Sequence, residues 1–157
     1  FRQIIEIIGE IHKMGYLHRD IKPANILVNE DGECKIIDFG LSTSYLGTYG
    51  DHKPERRDQH IIGSPSYISL NVHNGINPSR RDDLESVCYV FLYLLKGFLP
   101  WQTSLSKEII GMKHNMEHYS SSVLFVVWDY IRNLTYLQVP DYNSLVEVID
   151  KEISEIH

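Results

Sequence analysis

Two short stretches carry side chains suited to handling a charged, oxygen-rich substrate. The first is His18-Arg19-Asp20-Ile21-Lys22-Pro23-Ala24-Asn25 and the second is Asp38-Phe39-Gly40. Between them lie two short strand-forming runs, Ile26 to Val28 and Cys34 to Ile37. Asn29-Glu30-Asp31-Gly32 separates the runs and has the composition of a tight turn. A hairpin returns the chain to where it left, so Asp20, Asn25 and Asp38 are expected to converge on one site. Two oxygen-bearing side chains suit a hard divalent cation such as magnesium, and a third carboxylate can orient a hydroxyl and accept its proton. Phosphoryl transfer to a hydroxyl requires such a set. Read singly, Asp20 and Asp38 would pass for turn or cap aspartates. Octapeptide, hairpin and tripeptide together favour the chemical reading.

The elements that must position these residues are mostly helical. Ile4, Ile5, Ile7, Ile8, Ile11 and Met14 recur at helical spacing, and Gly15 supplies a stop. Tyr16 to Asn25 reads as a loop. From Asp38 to about Leu70 the chain is polar and irregular, and its middle carries Lys53, Arg56 and Arg57, read as a solvated face. Leu84 to Leu95 is apolar nearly all round and is expected to form the central buried helix. Weaker helical patterns span Lys107–His118, Val123–Leu137 and Tyr142–Ile156. The expected class is α+β, mainly helical, one unit over residues 1–157 with a small catalytic hairpin.

Composition narrows the partners. At 157 residues with 43% hydrophobic and 23% charged content, the chain holds enough apolar material for a core and is neither fibre nor disordered tail. A net charge of -6 argues against a general nucleic-acid surface. The run Val87 to Leu95 is too short to span a bilayer, so no membrane partner is expected. Cys34 and Cys88 make no CxxC pair, which points away from a disulfide scaffold and toward a reducing compartment, cytoplasmic or nuclear. His114 and His118 stand at i and i+4 without a third ligand or a nearby carboxylate motif, so a shared metal is disfavoured. The opening at Phe1, inside an apolar-periodic segment, reads as a piece of something longer.

The HRDxxxxN pattern at His18–Asn25, followed across a strand–turn–strand by Asp38-Phe39-Gly40, resembles the protein kinases. That resemblance implies Asp20 as catalytic base or hydroxyl-orienting residue and Lys22 as the cation on the transferred γ-phosphate. It implies Asn25 and Asp38 as magnesium ligands, with ATP and Mg2+ as cofactors. Lys22-Pro23-Ala24-Asn25 is similar to the serine/threonine enzymes, and Ser64 stands where those place a threonine bridging base and lysine. Gly63 to Asn71, Ser79 to Ser86, Leu95 to Gln102 and Pro140-Asp141-Tyr142 resemble the casein kinase I family, which also lacks the Ala-Pro-Glu motif. Within that resemblance Asp83 corresponds to the aspartate that opens the central helix and hydrogen-bonds the catalytic-loop backbone. Asp82 is read as a charge favoured by the helix dipole.

The resemblance further implies the C-terminal lobe of the protein-kinase fold and an activation segment at about 38–70. It implies protein substrates bearing Ser or Thr hydroxyls. The Gly-rich loop, strand lysine and helix glutamate of the fold do not appear, so the missing N-terminal lobe is expected in cis in a parent chain. The floor of a nucleotide pocket encloses little by itself, and the isolated chain is expected to have little or no activity. A truncated pseudokinase acting as a binding or scaffold module is the alternative. Where the family carries an arginine that helps bind acidic or phosphorylated substrates, this chain has Ser66. An aminoglycoside-kinase type of phosphotransferase is disfavoured by the Asp-Phe-Gly tripeptide.

Overall fold

A computed structural model describes residues 1–156, the side chains of Ile153 and Ile156 excepted; His157 lies outside the described residues. The apolar stripe at the start of the chain forms α1 (Arg2–Lys13), burying Ile4, Ile5, Ile8 and Ile11. Met14 does not continue the stripe. It caps the helix and is 68% exposed, because Gly15 at φ 91° turns the chain away before another helical turn can form.

The region expected to be a plain loop contains a strand. β1 (Tyr16–Leu17) pairs antiparallel with β4 (Thr43–Ser44), matching Tyr16 to Ser44 and Leu17 to Thr43. Two-residue strands leave no periodicity to read, and their partner lies far along the chain. A 3-10 turn over Pro23–Asn25 then leads into the hairpin of β2 (Ile26–Val28) and β3 (Cys34–Ile36). Its register sets Ile26 against Ile36 and Val28 against Cys34, and the Asn29 amide closes the turn on the Glu33 carbonyl at 3.1 Å.

The remaining helices are α2 (Leu70–His73), α3 (Arg80–Lys96), α4 (Ser106–His114), α5 (Met116–Tyr119), α6 (Ser122–Arg132) and α7 (Tyr142–Ile156). Helix α3 packs between α1 and α6, and α7 closes the same core against α1 and α6. Residues Asp82 to Val90 of α3 are buried on every side, the acids Asp82, Asp83 and Glu85 among them. The burial stops short of the expected Leu95: Leu94 is 59% and Leu95 56% exposed. The helix runs on past the neighbours that cover its start and ends at Gly97, in the left-handed region at φ 78°.

Two of the weaker helical patterns are also revised. Lys107–His118 is divided at Asn115, which leaves α-helical geometry at φ -98°, ψ 32°. In Val123–Leu137 the helix ends at Arg132. Leu134 and Tyr136 prolong the apolar spacing because both are buried in the turn that follows, not because the helix continues. Among the described residues the class is α+β, mainly helical, with two small sheets, and no helix is long and apolar enough to cross a membrane.

Candidate active site

The loop between β1 and β2 is held from beneath by Asp83, on the first turn of α3. One carboxylate oxygen accepts the His18 amide at 2.9 Å and the His12 ring at 2.8 Å; the other accepts the Arg19 amide at 2.9 Å. Burial by itself would raise the pKa of this carboxyl. The hydrogen bond and charge of His12, with the amides of Arg19 and His18, outweigh it and hold the group below its ordinary range. His12 passes the restraint outward, its other ring nitrogen meeting the Tyr142 hydroxyl at 2.5 Å. The role assigned to Asp83 by resemblance matches this geometry. His12 and Tyr142 are additions that only packing reveals.

His18 is fully buried and works as a clamp. Its Nε2 hydrogen-bonds the Ile37 carbonyl at 2.9 Å and its Nδ1 accepts the Asp20 amide at 3.1 Å, a pairing that requires neutral imidazole with the proton on Nε2. Phe39 stands edge-on to the same ring at 5.0 Å. The clamp joins the catalytic-loop motif to the end of the hairpin, where the second motif begins. Both sides of the clamp are strained: Arg19 lies at φ 70° and Asp38 at φ 60°. Non-glycine residues in that region cost about 1–3 kcal/mol each and persist where surrounding contacts enforce them.

Four predicted residues meet directly. Lys22 Nζ donates to Ser64 Oγ at 3.1 Å and lies 3.5 Å from an Asp20 carboxylate oxygen. Ser64 Oγ donates to the other Asp20 oxygen at 3.4 Å. Asn25 Nδ2 donates to the Asp20 carbonyl at 2.9 Å and to its carboxylate at 3.3 Å. Ser64 reaches this point because Gly63, at φ 100°, brings the segment against the catalytic loop. A Cβ there would lie 2.9 Å from the Arg19 carbonyl and 2.8 Å from Ile68. Asp38 joins through the backbone: the Ile37 amide donates to the Asn25 carbonyl at 2.9 Å, and one Asp38 oxygen accepts the Gly40 amide at 3.1 Å. Its side chain touches none of the other four.

The donor set suits magnesium. Among the described residues, Asn25 Oδ1 and the second Asp38 oxygen accept no hydrogen bond, which leaves one neutral and one anionic hard donor. No cluster of three His, Cys, Asp or Glu side chains builds a protein-only metal cage among those residues, and the His114/His118 pair belongs to none. Magnesium completes its octahedron with phosphate oxygens and water, so two protein donors are enough. Lys53, Arg56 and Arg57 lie away from this centre. The Arg57 head pairs with Glu55 at 3.5 Å in solvent, and Lys53 bonds the Ser44 carbonyl at 2.9 Å.

Asp82 departs from its sequence reading. It is a buried anchor as well as a first-turn acid: its carboxylate takes the Ser79 amide at 2.7 Å and the Ser69 hydroxyl at 2.5 Å, and burial raises its pKa. The spacing Ser79-x-x-Asp82 is that of a capping box, a signal available in the sequence. Glu85 and Lys113 left no such signal. Glu85, one turn on, accepts the Leu70 amide at 2.5 Å and the Arg132 guanidinium at 3.1 Å, fixing the start of α2.

The family model described as the protein kinase domain matches residues 1–149. The chain belongs to the protein kinase family. A probable casein kinase I homolog of Encephalitozoon cuniculi is 35% identical over 96% of this chain and 52% of its own length. Casein kinase I homolog 3 of Schizosaccharomyces pombe is 33% identical over 99% of this chain and 40% of its own. At that identity along nearly the whole chain, the casein kinase I homologues are its relatives within the protein kinase family. The chain spans about half the length, or less, of these curated relatives. Protein kinases generally use ATP and Mg2+, and the oxygen donors of Asn25 and Asp38 are compatible with that chemistry.

Proposed function

We propose that this chain is the C-terminal lobe of a serine/threonine protein kinase of casein kinase I type. Joined to an N-terminal lobe in cis, it transfers the γ-phosphate of ATP to Ser or Thr hydroxyls of proteins. The observation that carries the reading is the convergence of Ser64, Lys22 and Asn25 on the Asp20 carboxylate. In this reading Asp20 orients the attacking hydroxyl and accepts its proton, with Ser64 and Asn25 fixing the carboxylate's rotamer. Lys22 sets its ammonium against the charge that develops on the migrating phosphoryl. Asn25 and Asp38 would hold magnesium, whose charge offsets that of the phosphates. Leu27, Val28, Ile37 and Phe39 present exposed apolar surface at the hairpin, which supports a nucleotide base and a second lobe covering it. Residues of about 38–70, which include Ser64, serve as the activation segment.

The test is phosphate transfer from radiolabelled ATP to casein by the full-length gene product. Asp20→Asn and Asp38→Ala are each expected to lower the rate by roughly 10²–10⁴. Wild-type turnover by either variant refutes the role given to that residue. An inactive full-length protein refutes the kinase reading and leaves a scaffold in its place.

A further inference from the structure

Lys113, on α4, is fully buried, and among the described residues it forms no salt bridge. Its ammonium instead finds three acceptors: the Pro65 carbonyl at 2.9 Å, the Ile68 carbonyl at 2.7 Å and His73 Nε2 at 2.9 Å. Three N–H donors meet three lone pairs, with the Tyr89 and Trp101 rings at 4.7 and 5.6 Å from the same nitrogen. His73 accepts only when neutral, and burial together with the Lys113 charge keeps it so, its pKa pushed down to about 4. The titratable groups that face Lys113 are His73 from α2 and Glu85 and Tyr89 from α3. Burial outweighs the field of Glu85 and brings the lysine pKa down to about 7.

Burying an ammonium without a carboxylate carries a desolvation cost that the three neutral acceptors must offset. What the lysine does achieve is local. With Trp101 Nε1 donating to the Ser66 carbonyl at 2.9 Å, three carbonyls between Pro65 and Ile68 are gripped from below. That segment starts at Ser64, whose hydroxyl touches both Lys22 and Asp20. Pro65 is exposed and Ser66 and Tyr67 partly so, directly following Ser64 beside Asp20.

We propose that Lys113 is a positioning residue for the acceptor peptide: by fixing the Pro65 and Ile68 carbonyls it sets the surface of residues 64–68 against which the peptide docks. This rests on the kinase reading above. The test uses Lys113→Met in the full-length protein, with casein as probe. The KM for casein is expected to rise at least about fivefold, with kcat and the KM for ATP within about twofold. The melting temperature is expected to fall, because three acceptors lose their buried donor, so the split between the KM for casein and kcat is the readout that a merely structural role would not move. Hydrogen exchange at the Tyr67 and Ile68 amides, both bonded to the Ser64 carbonyl, is expected to quicken about tenfold while α3 amides keep their protection.

An unchanged KM for casein overturns the proposal, and so does unchanged exchange at those amides. Should Lys113→Met fail to fold, Lys113→Gln, which retains two N–H donors, carries the same two readings. A wild-type protein that transfers no phosphate defeats the kinase reading instead, and the exchange measurement still judges the grip on the segment.

Discussion

Replacing Asp83 by asparagine removes one oxygen and almost no volume, so its effect isolates the hydrogen bonding at the base of the catalytic loop. Three donors converge on this carboxylate: the amides of His18 and Arg19 and the ring of His12. An asparagine offers one oxygen. Its better orientation keeps that oxygen on His18 and His12 and turns an NH2 toward the Arg19 amide, donor against donor. One bond to a charged acceptor is lost, about 1.5–3 kcal/mol, and a buried N–H is orphaned, a further ~1–3 kcal/mol. The sum, about 2.5–6 kcal/mol, brackets the roughly 3–5 kcal/mol that removing one member of a buried ion pair costs. For a chain of this size it corresponds to a melting temperature lower by about 5–25 °C.

The assay is thermal unfolding at pH 7 by circular dichroism, with Asp31→Asn in the exposed hairpin turn as the control. The sign of the pH dependence is also set. The folded-state pKa of Asp83 lies below the ordinary aspartate value, so its contribution is complete above that value and is lost as pH falls below it. The wild-type advantage over Asp83→Asn should therefore be flat from neutrality to about pH 5 and shrink in stronger acid. A variant that melts within about 2 °C of wild type at pH 7 refutes the view that Asp83 carries the loop.

Gly63→Ala is expected to cost about 1–3 kcal/mol from its φ of 100° and to push Ser64 off Asp20, which unfolding and casein phosphorylation together would register. His73, with its folded pKa near 4 against 6.5 when free, binds a proton only in the unfolded chain between those values. Stability should thus rise with pH from about 4 to 6.5, as urea unfolding across that window would measure, and His73→Phe should flatten the rise. Leu94→Lys, at the exposed end of α3, should change stability by no more than about 0.5 kcal/mol in this chain, and a larger loss would mean that the turn is buried after all.

Much of the candidate site was legible because its chemistry is local. Asp20, Lys22 and Asn25 fall within one loop, the hairpin turn that carries the chain to Asp38 has its own composition, and the helices announce themselves by period. Ser64 was reachable only through resemblance, since nothing local ties a serine more than forty residues downstream to Asp20. The β1–β4 pairing, His12, Glu85 and Lys113 were not legible. Each is an ordinary residue type at an ordinary position, and each acts through a partner far away in the chain.

What the amino-acid order determined unaided is the set of groups able to handle a phosphoryl and a cation, and the short-range geometry that presents them. A turn or a helical period depends on the conformations of adjacent residues. What tertiary structure alone decided is what supports those groups: buried acids on α3 under the loop and a buried lysine on α4 under Pro65 to Ile68. Desolvation makes a buried charge costly unless distant donors or acceptors surround it, and only folding brings those partners together.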